Sequence, residues 1–143
     1  MRHIDRNALV PYTAAQMYAL VADIASYREF LPWCQDSVII SSASEIVTAR
    51  LKVGFESLNT EFTTVNTLQE PTSMDMRLQD GSFRVLEGKW AFQQLGDQGC
   101  SVTLNMQFEF SNSVQDMLMG ASFERICDQL IDAFIQRAKD TFD

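Results

Sequence analysis

The chain has 143 residues, 46% of them hydrophobic and 21% charged, and its net charge at pH 7 is −8. That length fits one domain, 1–143, large enough to bury a core or to enclose a cavity, and no apolar run approaches the roughly 18 residues of a membrane span. The acidic balance argues against a general nucleic-acid binder and makes DNA an unexpected partner, although Arg2, Arg6, Arg28, Arg50 and Lys52 could gather into a local basic patch.

The first segment, HIDRNALVPY, reads as a strand closed by Pro11. Its mixture of charged and apolar residues lacks the apolar centre of a signal peptide, so a cytoplasmic location is expected. Thr13 is a good N-cap for TAAQMYALVADIA, where Met17, Leu20, Val21 and Ile24 recur three and four apart. A second, very short helix restarts at Tyr27 and ends at Pro32.

From residue 35 to 110 the period falls from about 3.6 to 2. Val47, Ala49, Leu51, Val53 and Phe55 alternate with Thr48, Arg50, Lys52 and Gly54. Met74, Met76 and Leu78 alternate with Asp75, Arg77 and Gln79, and Val102 to Phe110 alternate most strictly of all. Turn residues at 41–44, 70–73, 80–81 and 96–99 separate these strands, and such short turns predict an antiparallel meander. The last segment is helical from about residue 112 to 140. It would be on the order of 40 Å long, enough to cross the whole sheet.

One apolar sheet face and one apolar helix stripe must cover each other. The expected class is therefore α+β, a curved antiparallel sheet of about six or seven strands gripping a long C-terminal helix. Two short helices after the first strand close one end.

Chemistry has few candidates. His3 is the only histidine, and Cys34, Cys100 and Cys127 are scattered with no CxxC pair, so no metal site is expected. No glycine-rich phosphate loop occurs; an acid–base pair of carboxylates stays open, and no catalytic residue is assigned. The excess lies in large, soft side chains on the inner face, among them Phe55, Phe62, Leu86, Trp90, Phe92 and Phe108 from the strands and Phe123 from the helix. Periodicity alone fits a packed core as well as a cavity wall.

Four stretches add a resemblance. YALVADIASYREFLPWC, LQDGSFRVLEGKWAF, FEFSNS and LIDAFIQRAKDTF occur in the order seen in the coenzyme Q-binding family of the START-like, or polyketide cyclase-like, superfamily. The chain most resembles its bacterial branch of ribosome association toxins. Arg28 and Ser82 stand where prolines are common in the family, and Phe142 where a tyrosine is usual.

The resemblance implies a START-like helix-grip domain with an apolar tunnel. Phe55, Phe62, Leu86, Trp90, Phe92, Phe108, Phe123, Cys127 and Leu130 would form its wall, and Tyr27, Phe30, Leu31, Trp33 and Phe83 its mouth. It implies a non-catalytic carrier whose ligand is ubiquinone or a similar polyprenyl lipid, held as cargo and not as a cofactor, in support of respiratory electron transport. Such a carrier would touch the inner face of the cytoplasmic membrane transiently, through apolar tips such as Phe83. The toxin branch implies a second function, binding the large ribosomal subunit and blocking subunit association. A cyclase- or aromatase-type enzyme is the minor alternative.

Overall fold

In a computed structural model describing residues 1–143, the alternating segments form one seven-stranded antiparallel sheet. The strands are β1 (Arg2–Val10), β2 (Cys34–Ala43), β3 (Ile46–Phe55), β4 (Leu58–Gln69), β5 (Ser73–Gly81), β6 (Phe83–Leu95) and β7 (Gly99–Phe110). Their order across the sheet is β1-β7-β6-β5-β4-β3-β2. Strands β2 to β7 run as the expected meander, and β1 adds to the far edge beside β7. The segment between β1 and β2 must therefore carry the chain from one edge of the sheet to the other.

That segment holds α1 (Ala14–Ala22), a 3-10 turn (Ile24–Ser26) and α2 (Tyr27–Phe30). Helix α1 starts with a full capping box. The Thr13 hydroxyl accepts from the Gln16 N–H at 3.1 Å, and the Gln16 side chain accepts from the Thr13 N–H at 2.9 Å. Met17, Tyr18 and Val21 are buried on its inner side. Pro32 ends α2, as its missing donor and fixed φ require.

The register places one apolar face inward. Val102, Leu104, Met106 and Phe108 of β7 stand opposite Phe92, Trp90, Gly88 and Leu86 of β6. Gly88 is needed there: a Cβ would lie 2.7 Å from Met106 Cγ and 2.9 Å from Met76 Cε, so two methionines fill the space above it. Strands β5 and β6 pair only from Ser73–Ala91 to Arg77–Glu87, after which they diverge.

Two helices cross this face, α3 (Ser113–Asp128) and α4 (Leu130–Phe142). The uninterrupted helix expected from the sequence is broken at Gln129, whose φ of −96° and ψ of −1° tighten one turn. The Gln129 N–H reaches Ile126 O at 3.2 Å, and α4 restarts with Ala133 N–H on Gln129 O at 3.0 Å. No proline or glycine marks the break. The two pieces pack on different partners, α3 on β1, β4 and β7 and α4 on α1 and β1. Asn112 caps α3 by accepting from Gln115 N–H at 2.8 Å.

Candidate functional site

Between the sheet face and the helices lies a cavity of about 70 Å³. Phe62, Leu86 and Trp90 reach it from the strands, Phe123 and Cys127 from α3, Leu130 from α4, and Tyr27 and Trp33 from the region after α1. Met74, Met76 and Met106 complete the sheet side, and Ile126 and Phe134 the helix side.

The other residues expected in the wall or mouth lie elsewhere. Phe92 is buried behind Trp90, with ring planes 1° apart and centroids at 6.2 Å. Phe108 packs on Phe123 at 4.8 Å. Phe55 is half-buried beneath the Arg125 guanidinium, 5.6 Å from the ring centroid. Leu31 is buried, and Phe30 lies edge-on against Phe134 at 5.3 Å with Arg137 over its other side at 4.8 Å.

Phe83 is no exposed tip. It is 5% exposed and stacks on Phe110 at 4.4 Å, because the backbone at Gly81, with φ of 143°, turns the chain back toward the core. The exposed apolar side chains near that end are Val114, Met117 and Leu118 on the first turns of α3.

The cavity wall is nearly uncharged. The Tyr27 hydroxyl donates to Val21 O, and burial pushes its phenol far above its ordinary value. Burial also raises the Cys127 thiol, with the Asp128 and Glu124 carboxylates adding to the shift. Glu87, at the seam with the outer face, accepts from the Gln107 side chain. No group of three His, Cys, Asp or Glu side chains could hold a metal ion.

Two polar residues of the wall escape an inventory built on aromatics. Thr64 and Asn66 follow Phe62 at two-residue spacing on β4, and all three face the cavity. In TEFTTVNTLQ, threonines fall on both faces, so alternation there marks no inside. The signal was the period from Phe62, which places positions 64 and 66 on the same side. Asn66 is 1% exposed; its Nδ2 lies 3.0 Å from Val47 O, 3.3 Å from Thr64 O and 3.1 Å from Thr64 Oγ1.

A larger depression of about 940 Å³ lies open on the outer side of the sheet. Asp5, Asp75 and Glu87 oppose Arg77 and Lys89 in it, so it carries no single sign of charge. Nor do the arginines singled out from the sequence form a basic patch. Arg2 pairs with Glu124 and Asp116, Arg6 with Asp128, Arg28 with Asp36 and Arg50 with Glu61, each within 4 Å. No helix is long and apolar enough to cross a membrane.

A curved antiparallel sheet closed over a small apolar cavity by a C-terminal helix defines a START-like, helix-grip protein. The family model for polyketide cyclase / dehydrase and lipid transport matches residues 10–135, and the chain belongs to that family. It is 38% identical to the ribosome association toxin RatA of Pseudomonas aeruginosa over 98% of this chain and 97% of that one. It is 33% identical to the mitochondrial coenzyme Q-binding protein of Drosophila melanogaster over 96% of this chain, which spans 59% of that longer protein. Among solved structures, an aromatase/cyclase from a Streptomyces species superposes with a TM-score of 0.85 over 96% of this chain and 93% of that one, at 17% identity. That likeness concerns the fold alone.

Proposed function

We propose that this chain is a non-catalytic carrier of a hydrophobic ligand, and that the ligand is ubiquinone or a similar polyprenyl lipid. The observation that carries the reading is the wall chemistry. Fifteen of the 18 residues around the cavity are hydrophobic, whereas catalysis of cyclisation would call for a positioned acid and base. The likeness to a coenzyme Q-binding protein over 96% of this chain supports the choice of ligand.

At about 70 Å³ the cavity is far smaller than the roughly 300 Å³ or more of an occupied ligand pocket. Loading must displace side chains. Met74, Met76 and Met106 suit this, being unbranched and able to change shape within a core at low cost. Burial of the tail would contribute roughly 25 cal/mol per Å² of apolar area. The carrier works in the cytoplasm and meets the membrane only transiently, since a net charge of −8 is repelled by anionic lipid.

Mass spectrometry of an organic extract from purified protein, beside an unrelated protein from the same cells, tests this directly. Ubiquinone enriched to a sizeable fraction of one per chain is the expected result. An extract no richer than the control counts against the reading.

The 38% identity to RatA favours a second activity on a separate surface, binding the large ribosomal subunit so that subunits cannot join. With four arginines already paired to carboxylates, the contact would rest on protein more than on rRNA. Sucrose-gradient profiles at physiological magnesium should show free subunits accumulating as protein is added; unchanged profiles would remove this activity.

A further inference from the structure

We infer that Thr64 and Asn66 form the head-group end of the cavity, and that they select a head group with a hydroxyl donor, a phenol or quinol, over a quinone carbonyl. The inference rests on the apolar-ligand reading above and concerns which redox form of such a ligand is held.

The Asn66 carboxamide can take only one orientation. Its nitrogen faces the carbonyl oxygens of Val47 at 3.0 Å and Thr64 at 3.3 Å, which accept and never donate. Thr64 Oγ1 at 3.1 Å is a third acceptor, so two N–H groups already serve three oxygens. The amide has no hydrogen left for a ligand.

Its oxygen is in the opposite condition. Asn66 Oδ1 receives one contact, from the Thr64 hydroxyl at 3.4 Å, near the limit of a hydrogen bond. Both residues are buried in the cavity wall, and no other group of the protein donates to that oxygen. The Thr64 hydroxyl spends its single hydrogen on Asn66, so toward the cavity the pair offers lone pairs.

A quinol hydroxyl placed here donates to Asn66 Oδ1 and disturbs nothing. A quinone carbonyl would meet oxygen with oxygen unless Thr64 turned its hydrogen to the ligand, and Asn66 Oδ1 would then lose its only donor. The wall's indole donors, Trp33 and Trp90, stand on other elements, after α2 and on β6, and can serve an oxygen elsewhere on the ligand. A difference of one buried hydrogen bond gives a preference of about tenfold. By linkage, that preference raises the midpoint potential of the bound two-electron couple by about 30 mV relative to free ligand.

The test compares three probes on delipidated protein by isothermal titration calorimetry: decylubiquinol kept reduced under nitrogen, decylubiquinone, and n-decylbenzene. The expected order places the quinol about tenfold tighter than the quinone. Asn66→Leu, which removes the acceptor oxygen, should erase that gap and leave decylbenzene unchanged, while Thr64→Val, which leaves that oxygen in place and removes the one hydroxyl that could turn to a quinone, should keep or widen it. Equal affinities for the two redox forms in the parent, a preference that survives Asn66→Leu, or one that Thr64→Val abolishes, overturn the head-group assignment while the carrier reading stands. Failure of all three probes, decylbenzene included, to bind saturably overturns both.

Discussion

The guanidinium of Arg2 occupies the space that a side chain at position 120 would need: a Cβ on Gly120 would stand 2.6 Å from Arg2 Nε. From there Arg2 reaches Glu124 at 2.9 Å and Asp116 at 3.4 Å, one turn to either side on the same face of α3. Arg2 Nε and Asp116 Oδ1 are buried without partners, so the arrangement is not optimal.

Gly120→Ala tests how much this contact holds. The new methyl group pushes on the flexible end of Arg2 and not on backbone. Loss of partly exposed ion pairs, up to about 1 kcal/mol, is offset by about 1 kcal/mol of helix propensity. Urea denaturation should therefore place the variant within about 1 kcal/mol of the parent. A loss above about 2 kcal/mol would mean that Arg2 anchors the helix more firmly than ion pairing explains.

Gly88→Ala should behave differently. Its Cβ would meet Met106 Cγ at 2.7 Å and the Asn105 carbonyl oxygen at 3.0 Å, and the latter cannot swing aside. Overpacking of this kind costs about 1–3 kcal/mol. Met76 and Met106 would be driven toward the cavity, so uptake of an apolar probe should fall even in the folded fraction. Unchanged stability and unchanged uptake together would refute the crowding argument.

Trp90 is 2% exposed and meets Phe134 edge-on at 5.3 Å. Trp90→Ala should cost about 3–5 kcal/mol, a large share of the roughly 5–15 kcal/mol of a typical domain. Trp90→Phe retains most of the packing and should fold well with weakened ligand binding. Full ligand affinity in Trp90→Phe would reduce Trp90 to a core residue.

Stability should decline on the alkaline side. Burial raises the thiols of Cys34, Cys100 and Cys127 above their ordinary 9.0 and the phenol of Tyr27 above 10.0. The folded state favours the neutral forms, so the unfolded chain releases protons first. The stabilisation is complete below about pH 9 and is lost as pH rises toward the folded values. Guanidinium midpoints at pH 8 and 10.5 should fall in that order. At pH 8 a thiol reagent should label native protein far more slowly than unfolded protein; equal rates would place a thiol at the surface.

The strict alternation from Val102 to Phe110 made β7 legible, and a Thr13 cap followed by apolar residues three and four apart did the same for α1. Gln129 gave no warning, because neither proline nor glycine accompanies its one tightened turn. Phe83 misled because a large apolar residue after a turn has the pattern of a tip, and only the backbone at Gly81 turns it inward. Cavity volume depends on rotamers and close approaches such as Gly88 to Met106, which residue types alone do not carry. Thr64 and Asn66 were hidden by their polarity, since inward polar residues look like outward ones until their partners are known.

The break at Gln129 leaves the two halves of the covering helix held by different forces. Helix α4 buries Ile131, Phe134 and Ala138, whereas the front of α3 is tied to β1 through Arg2 and turns Val114, Met117 and Leu118 to water. Backbone amides of α4 should therefore exchange with deuterium only in large openings, and those of Ser113 to Met119 in small, frequent ones. The molecule then resembles a purse with a stitched seam at one end and a clasp at the other, and it should open at the clasp while most of its fold stays shut.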